Sequence, residues 1–360
     1  MFTRNKTRKI KIGNVTIGGG SPVAVQSMTN TDTRDIKSTV NQIRALEDAG
    51  CEIIRLAVPD MQSAKSLSKI RKAVSIPIVA DIHFDWRLAV EAVKQGVHKL
   101  RINPGNIGSP QKVKEVVLAA KSAGIPIRIG VNAGSLKGAH APKTARARAG
   151  KLVESALEHI KILEDSDFYD IAVSLKASDV MTTVEAYRLL AKKKKYPLHL
   201  GITEAGSLFR GTVKSSVGLG IILADGLGDT LRVSLTADPV EEVRVAYQIL
   251  QSLELCSTGI ELVSCPTCSR TEVDLIAIVN ELENRLSKNI GLTAKFKKAP
   301  LKVAVMGCVV NGPGEARDAD IGIAGGKKAG MLFENGKVIG QVSPKQWVNT
   351  LIKMIAARTK

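Results

Sequence analysis

The feature that most constrains the fold of this chain is an eightfold alternation of two kinds of segment. Short runs rich in β-branched residues alternate with longer amphipathic stretches. Apolar runs separated by helices indicate a parallel sheet that is buried on both faces. Eight such units predict a closed (β/α)8 TIM barrel. The runs are 23–28, 53–58, 76–84, 99–103, 125–132, 171–176, 198–203 and 230–235, and the helical stretches are 35–49, 61–74, 86–95, 110–123, 146–165, 179–194, 211–223 and 238–251.

An open, doubly wound sheet is the main alternative to the barrel. That fold usually has a Gly-x-Gly-x-x-Gly turn after its first strand, and the first run here is not followed by one. Ahead of the repeats, residues 9–18 alternate apolar and polar side chains around Gly13-Asn14. This pattern predicts a β-hairpin, which we expect to close the bottom of the barrel.

The alternation stops near residue 255, and a different order of segments follows. Cys265-Pro266-Thr267-Cys268 precedes a predicted helix at 271–287 and a strand at 301–306. A glycine-rich turn, two short strands and a final helix at 344–357 come next. The sequence therefore predicts a barrel domain over 1–255 and a smaller α+β domain over 256–360.

The composition of the chain indicates in which cell compartment the protein acts. Of its 360 residues 44% are hydrophobic, enough for real cores, yet no apolar run is long enough to span a membrane. The N-terminus lacks the apolar segment of a signal peptide, so we expect a cytoplasmic protein. Five cysteines, an odd number, argue against a disulfide framework and favour metal binding or redox chemistry.

The net charge of +18 has two interpretations. Such charge is typical of nucleic-acid binding, but the basic residues are scattered and aromatic residues, which stack on single strands, make up only 3% of the chain. We therefore favour a lysine-rich solvated surface, with part of the excess serving an anionic substrate, and expect neither nucleic acid nor membrane as a partner.

Polar side chains mark the ends of the predicted barrel strands, where TIM barrels hold their active sites. Several lie two residues apart, as Asp81 and His83 do, and side chains two apart on a strand share a face. Cations that converge in a cleft require an anion, and guanidinium groups suit a diphosphate. The candidates are Arg55, Asp81, His83, Arg101, Asn103, Arg128, Asn132, Lys176, Glu204, Arg232 and Ser234.

The cysteines of the second domain suggest a metal centre. Cys265 and Cys268 can bind one centre, and Cys308 follows in a glycine-rich segment. Zinc sites use Cys-x-x-Cys as readily as iron–sulfur clusters do. A structural zinc site, however, normally has four protein ligands, and here Cys256 is the candidate for the fourth. Three thiolates suit a 4Fe–4S cluster with one open iron. Cys51, in the barrel, is interpreted as a core residue.

Taken together, these motifs resemble the 4-hydroxy-3-methylbut-2-enyl diphosphate synthase family of the methylerythritol phosphate route to isoprenoids. The resemblance covers nearly the whole chain. It is carried by segments that end the predicted strands and by those around the cysteines. They are 25–31, 80–84, 100–108, 128–134, 200–206, 228–234, 265–270 and 307–316.

The resemblance implies a reaction and a set of roles. The family reductively opens 2-C-methyl-D-erythritol 2,4-cyclodiphosphate, expels water and takes two electrons from flavodoxin or ferredoxin through a 4Fe–4S cluster. It implies a homodimer, in which the cluster domain of one subunit closes over the barrel of the other. The implied cluster ligands are Cys265, Cys268, Cys308 and, exchangeably, Glu315. Implied diphosphate ligands are Arg55, His83, Arg101, Arg128 and Lys176.

The remaining strand-end residues complete the pocket by the same resemblance. These are Asp81, Asn103, Asn132, Arg232 and Ser234, while Glu204 would face the reacting carbons and transfer a proton. The loop 135–150 is short and basic, with Arg146 and Arg148, and the resemblance assigns it no role. A non-redox barrel, such as a phosphosugar aldolase or isomerase with a structural zinc, remains the alternative, with Lys176 forming a Schiff base.

Overall fold

The computed structural model describes residues 3–132, 144–256, 259–288, 300–309 and 312–358. Contacts divide the chain into two units, Met1–Cys256 and Ser257–Lys360. Each unit has its own sheet and its own hydrophobic core, so they are described separately. None of the described helices combines the length and apolar character needed to cross a lipid bilayer.

The first unit is a parallel eight-stranded barrel, which confirms the predicted fold. Every strand-to-strand pairing in its sheet is parallel. The ring closes where Val173 donates its N–H to the Pro197 carbonyl at 2.9 Å and forms a parallel bridge with Leu198. After the hairpin strands β1 (Ile10–Ile12) and β2 (Val15–Ile17), the barrel strands are β3 (Ala24–Met28), β4 (Ile53–Ala57), β5 (Ile78–Asp81), β6 (Lys99–Ile102), β7 (Ile127–Asn132), β8 (Ile171–Lys176), β9 (His199–Leu200) and β10 (Thr230–Leu231).

Helices follow the barrel strands and cover the outside of the sheet. In five of them an aspartate immediately before the helix accepts a backbone N–H of the first turn, which fixes where the helix begins. The helices are α1 (Ile36–Asp48), α2 (Met61–Ala73), α3 (Trp86–Lys94), α4 (Pro104–Ile107), α5 (Pro110–Ala123), α6 (Ala145–Glu164), α7 (Val180–Lys193), α8 (Leu208–Ala224) and α9 (Pro239–Ser252).

Alternation along each barrel strand separates an outer apolar face from a polar interior. Ile82, Ile102 and Val233 belong to the large cluster that packs strands against helices, as their spacing predicts. The residues on either side of them point inward and are mostly polar or charged. At the bottom, Ile12 and Ile17 of the predicted hairpin pack against the inward-facing Ile53, so the hairpin closes that end.

Three barrel strands are much shorter than predicted. β9 and β10 each contain two residues, whereas the apolar runs extend over 198–203 and 230–235, and β5 contains four residues of the run 76–84. The chain leaves the sheet ladder soon after Leu200 and Leu231, because the following residues turn into the strand-end loops. Arg232 still donates its N–H to the Leu200 carbonyl at 3.0 Å.

The second unit is a five-stranded mixed sheet with helices on both faces. Three strands pair in parallel and the last two are antiparallel. Trp347 and Leu351 are fully buried in the larger of its two apolar clusters. Its elements are β11 (Ile260–Ser264), α10 (Leu275–Lys288), β12 (Leu301–Met306), α11 (Gly312–Arg317), β13 (Ile321–Gly325), β14 (Gly330–Glu334), β15 (Lys337–Val342), a 3-10 turn (Pro344–Gln346) and α12 (Trp347–Ala357).

The prediction for this unit was wrong in detail. Three strands follow the glycine-rich turn instead of two, because an Asn335-Gly336 turn makes a hairpin of β14 and β15. The strand β11, which ends directly before Cys265, was not predicted. The helix expected at 271–287 begins at Leu275.

Candidate active site

Charged side chains converge at the carboxyl ends of the barrel strands. Asp81, at the end of β5, accepts from Arg101 Nη1 at 3.0 Å and lies 3.5 Å from Arg55 Nε. Burial alone would raise the pKa of Asp81, but the charges of Arg55 and Arg101 outweigh it and lower that pKa to about 2. Asp81 is therefore a fixed anion that holds two guanidinium groups in place.

Two further contacts complete this end of the barrel. His83 Nε2 lies 3.9 Å from Asp81 Oδ2. Arg232 forms a two-point ion pair with Glu242, at 3.1 and 3.2 Å. Arg55 and Arg232 both approach the sulfur of Met28, so their side chains are neighbours. We call Arg55, Asp81, His83, Arg101, Lys176 and Arg232 the mouth cluster.

Lys176 is the cation of the mouth cluster that has least compensation. It ends β8 and is buried. Burial lowers the pKa of its amine well below the usual range, and the nearby charges of Arg55 and Arg128 lower it further. The negative charge of a bound anion would raise that pKa again.

Two inward-facing glycines make room for these long side chains. A Cβ on Gly130 would lie 2.7 Å from Arg101 Nε, and one on Gly201 would lie 2.3 Å from Lys176 Nζ. Real Cβ atoms essentially never come so close, so a side chain at either position would displace its cation, and at Gly201 it would also meet the Arg232 carbonyl at 2.9 Å. Space in the barrel is thus reserved for cationic groups.

The interior below the mouth is also cationic. We call Gln26, Lys99, Arg128 and His199 the interior layer; they lie on β3, β6, β7 and β9 and are all buried. Arg128 Nη1 donates to Gln26 Oε1 at 3.3 Å. The two groups of residues together hold six lysine and arginine side chains, and the carboxylates paired with them in the described structure are Asp81 and Glu242. This imbalance suits a multiply charged anion.

The cysteine segments of the second unit meet at neighbouring strand ends. β11 and β12 are parallel partners, with Ser264 opposite Val305. Cys265 follows β11, and its Sγ accepts the Gly307 N–H at 3.5 Å. Glu272 N–H bonds the Gly307 carbonyl at 3.0 Å, which draws the loop after Cys268 to the same place.

The three thiols differ in their surroundings. Cys268 is exposed, and hydrogen bonding from the Arg270 backbone lowers the pKa of its thiol, which favours the thiolate that binds metals. Cys265 is half-buried and Cys308 is buried.

Side chains of the kind that bind metals do not gather in threes around a single point anywhere in the described structure. Iron–sulfur clusters are held by cysteine thiolates. Cys265 and Cys308 follow two adjacent strands, and Cys268, whose thiolate form is favoured, lies in the loop just beyond Cys265, so the donor set suits such a group.

Comparison with known families covers both units. Residues 7–247 match the GcpE TIM-barrel domain, and residues 261–357 match the GcpE protein C-terminal domain. The chain belongs to the GcpE family. The two matched regions together include the mouth cluster, the interior layer and all three candidate cluster cysteines.

Relatives of this GcpE-family chain carry one name. A protein of Clostridium acetobutylicum is 56% identical over 98% of this chain and 99% of its own length. One from Ruminiclostridium cellulolyticum is 56% identical over 98% of both. Each is described as 4-hydroxy-3-methylbut-2-en-1-yl diphosphate synthase (flavodoxin).

Solved structures of low identity share the barrel fold. Yersinia pestis dihydropteroate synthase has a TM-score of 0.50 at 14% identity and covers 68% of this chain and 98% of its own. Geobacillus kaustophilus 3-dehydroquinate dehydratase also has a TM-score of 0.50, at 12% identity, over 69% and 99%. These similarities concern the fold of the GcpE barrel alone.

The other predicted site residues lie at or beyond the ends of β6, β7, β9 and β10. Asn103 is buried, but its side-chain oxygen accepts the Gly105 N–H at 3.2 Å and begins α4. Asn132 is exposed at the end of β7, and Ser234 is half-buried beyond β10. Glu204 is exposed, with a left-handed φ of 52° in the loop after β9. Such a backbone is unusual for glutamate and is found more often at functional sites.

Four other sequence features remain. Glu315 falls in α11, and its side chain lies outside what the structure describes. Of the basic loop 135–150, residues 135–143 lie outside the described part, and the remainder belongs largely to α6, where Arg148 bonds Thr182 Oγ1 at 3.1 Å. Cys51 is a core residue, as predicted: burial raises the pKa of its thiol to about 12. Cys256 packs against the barrel core.

Several residues of this GcpE site were missed by sequence reasoning. The two-residue spacing along a strand could have revealed both Lys99, two residues before Arg101 on β6, and Gln26, two residues before Met28 on β3. Glu242 had no such signal, because it comes from a helix. It reaches in from α9, accepts the Leu235 N–H at 2.9 Å and is almost fully buried.

Proposed function

We propose that this chain catalyses the reductive ring opening and dehydration of 2-C-methyl-D-erythritol 2,4-cyclodiphosphate to 4-hydroxy-3-methylbut-2-enyl diphosphate, a step of isoprenoid biosynthesis. The observation that carries the proposal is the excess of buried cations in the barrel mouth, which suits a diphosphate. Membership of the GcpE family and the name of its relatives support it. A non-redox aldolase or isomerase is disfavoured, because the relatives described above are all synthases of this kind.

The barrel residues divide the work of binding. Arg55, Arg101, Arg128 and Lys176 hold the diphosphate, with His83 at the rim. As the ring opens, a C–O bond breaks and leaves negative charge on a diphosphate oxygen. Preorganised guanidinium groups stabilise that charge where it develops. Asp81 keeps them oriented without a counter-ion from solvent. Asn103, Asn132, Arg232 and Ser234 complete the pocket.

Cys265, Cys268 and Cys308 would hold a 4Fe–4S cluster, with Glu315 as an exchangeable fourth ligand. The cluster, when bound, supplies low-potential electrons, which amino-acid side chains cannot provide. Glu204, in its constrained loop, holds the proton that the departing hydroxyl group needs in order to leave as water.

The same proposal includes partners and surroundings. A flavodoxin or ferredoxin delivers the two electrons, in line with the flavodoxin in the name of the relatives. The working enzyme is a cytoplasmic homodimer. The net charge of +18 is assigned to the solvated surface and to the diphosphate site, with neither nucleic acid nor membrane as a partner.

Anaerobic metal analysis with a matched cysteine control tests the proposal. Wild-type protein purified without oxygen should contain iron and sulfide and convert the cyclodiphosphate when reduced. Cys268→Ser should lose most of the iron, whereas Cys256→Ser, which alters a cysteine of the barrel unit, should keep it. Glu315→Ala should keep part of the iron and lose turnover. Zinc in place of iron in the wild type, or full iron in Cys268→Ser, would refute the assignment.

A further inference from the structure

The interior layer of the barrel contains polar atoms that have no hydrogen-bond partner. Lys99 Nζ, Arg128 Nε, Gln26 Nε2 and His199 Nε2 are all buried without one in the described structure. Leaving a buried donor unsatisfied costs about 1–3 kcal/mol, and more when it is charged. Four such atoms in one layer of a barrel are therefore a feature that needs an explanation.

Lys99 is the extreme case among these residues. It lies on β6 two residues before Arg101, so it faces the same interior one layer deeper, and it is 0% exposed. Two residues along a strand correspond to roughly 7 Å. The lysine therefore lies beneath the proposed diphosphate site, close enough to respond to a charge bound there.

The charges around Lys99 are mostly cationic. Arg128 and Arg55 act on it most strongly. In the described structure the carboxylates paired with cations of this interior are Asp81, which contacts Arg55 and Arg101, and Glu242, which contacts Arg232. The titratable and charged groups that face this interior from β4, β5, β6, β7, β8, β9, β10 and α9 are Arg55, Asp81, His83, Arg101, Arg128, Lys176, His199, Arg232 and Glu242.

The chemistry of the cations decides which of them can relieve the repulsion. Arginine does not lose its proton in proteins, whereas lysine readily does when it is buried. Burial lowers the pKa of the Lys99 amine well below its usual range, and the charges of Arg128 and Arg55 lower it further. Loss of one proton removes a buried charge that has no partner.

We propose that Lys99 is a neutral amine in the ligand-free barrel and takes up a proton from solvent when the anionic substrate enters the mouth. The inference rests on the proposed function, in that the ligand is the cyclodiphosphate. The event is a proton transfer only: a solvent proton bonds to the lone pair of Nζ and gives an ammonium group. The uptake adds attraction for the diphosphate only once the diphosphate is there.

The sign of the pH dependence follows from linkage. The pKa of Lys99 is depressed in the free protein and rises toward its ordinary value in the complex. Between those two pKa values binding takes up a proton, so affinity falls as pH rises. Uptake of one proton corresponds to about a tenfold loss of affinity per pH unit.

Lys176 and His199 are the other buried groups that could accept the proton. His199 Nδ1 lies 2.8 Å from Thr230 Oγ1, while burial and the charge of Arg128 lower its pKa. A histidine restored to its ordinary pKa of about 6.5 stays neutral at about pH 8, whereas a lysine restored to about 10.4 is protonated there. An experiment at about pH 8 therefore reports on the two lysines, and replacement of Lys99 separates its proton from that of Lys176.

Calorimetry in two phosphate-free buffers of different ionisation enthalpy measures the proton uptake. The probe is 2-C-methyl-D-erythritol 2,4-cyclodiphosphate with the oxidised, cluster-loaded enzyme. Each phosphorus of the ring bears one strongly acidic hydroxyl group, so the probe itself does not titrate near pH 8. We expect Lys99 to account for about one proton taken up per subunit, so the binding constant should fall at least about tenfold per pH unit.

Two variants locate the proton. Lys99→Met, of similar length and without charge, should take up about one proton fewer than the wild type and show a correspondingly weaker pH dependence, whereas His199→Asn should keep the full uptake. Binding by the wild type without proton uptake would overturn the proposal whether or not either variant folds. Full uptake in Lys99→Met would overturn it too. Absence of binding by the wild type would instead refute the proposed function along with this inference.

Discussion

Asp81 organises the mouth of the barrel at the scale of single residues. Its two oxygens contact Arg101 and Arg55, and His83 lies near the same carboxylate. An aspartate inside a cationic cluster reduces the repulsion between guanidinium groups and fixes where they point. It therefore contributes both to folding and to the geometry of the anion site.

Asp81→Asn should destabilise the barrel and change how its stability depends on pH. Removing one partner of a buried ion pair costs about 3 kcal/mol or more. The pKa of Asp81 is about 2 in the folded protein, against 3.8 ordinarily, so its contribution is present above pH 4 and is lost as the pH falls toward 2. Over that interval the wild type should lose about 2 kcal/mol more than the variant.

Denaturant unfolding at a series of pH values measures both effects. Asp225→Asn is the matched control, because Asp225 pairs with Arg188 on the exposed side of the barrel helices. A surface ion pair contributes at most about 1 kcal/mol. Equal pH profiles for the wild type and Asp81→Asn would contradict the role given to this carboxylate.

The strand-end residues show what a sequence can and cannot reveal about a site. Arg55, Asp81 and Arg101 were predictable, because the two-residue spacing along a strand fixes which side chains share the interior. Glu242 was not predictable, since its position depends on the packing of a helix. The position of Cys265 beside Gly307 likewise depends on β11, a strand whose irregular pattern did not reveal it.

At the scale of elements, glycines in or next to two barrel strands leave room for long side chains inside the barrel. β7 has Gly130 on its inner face, and the chain after β9 has Gly201, where Arg101 and Lys176 occupy the space. The pattern of short runs predicted all eight barrel strands and their order, although β5, β9 and β10 are shorter than their runs. It could not predict this use of glycine, because glycine within a run looks like a weak point in a strand.

Gly201→Ala should displace Lys176 and weaken diphosphate binding. The added Cβ would lie 2.3 Å from Lys176 Nζ and 2.9 Å from the Arg232 carbonyl, so the side chain and backbone cannot both stay in place. Overpacking of this kind costs about 1–3 kcal/mol of stability, and a loss of about 1.4 kcal/mol in the contact between Lys176 and the diphosphate would lower affinity about tenfold. Calorimetry with the cyclodiphosphate measures the change.

Gly220→Ala provides the control for that substitution. Gly220 lies within α8, and a Cβ there meets nothing within 4 Å. Alanine in a helix interior is about 0.5–1 kcal/mol more favourable than glycine, so this variant should be more stable and bind normally. Unchanged affinity in Gly201→Ala would show that Lys176 adjusts without loss.

On the scale of the whole molecule, stability comes from two separate cores. The barrel cluster is built from residues of the first unit, and the cluster around Trp347 and Leu351 from residues of the second. The change of pattern near residue 255 predicted this division. The order of the five strands in the second unit could not be predicted, because the sequence of a short strand does not specify which strand it pairs with.

Leu351→Ala should destabilise the second unit while leaving the protection of the barrel strands unchanged. Leu351 is fully buried, and truncation of a buried leucine costs about 2–5 kcal/mol. Hydrogen exchange followed by mass spectrometry should show faster exchange in β12 and β13. Leu118→Ala, at an exposed position of α5, is the control and should change little. Equal loss of protection in the barrel would mean that the two cores unfold together.

The hairpin of β1 and β2 has a consequence for turnover. Because Ile12 and Ile17 close the lower end of the barrel, molecules enter and leave its interior through the mouth. Product must therefore leave by the route that substrate takes to the guanidinium groups. Product that has not left blocks the next substrate molecule, and accumulated product competes directly with substrate.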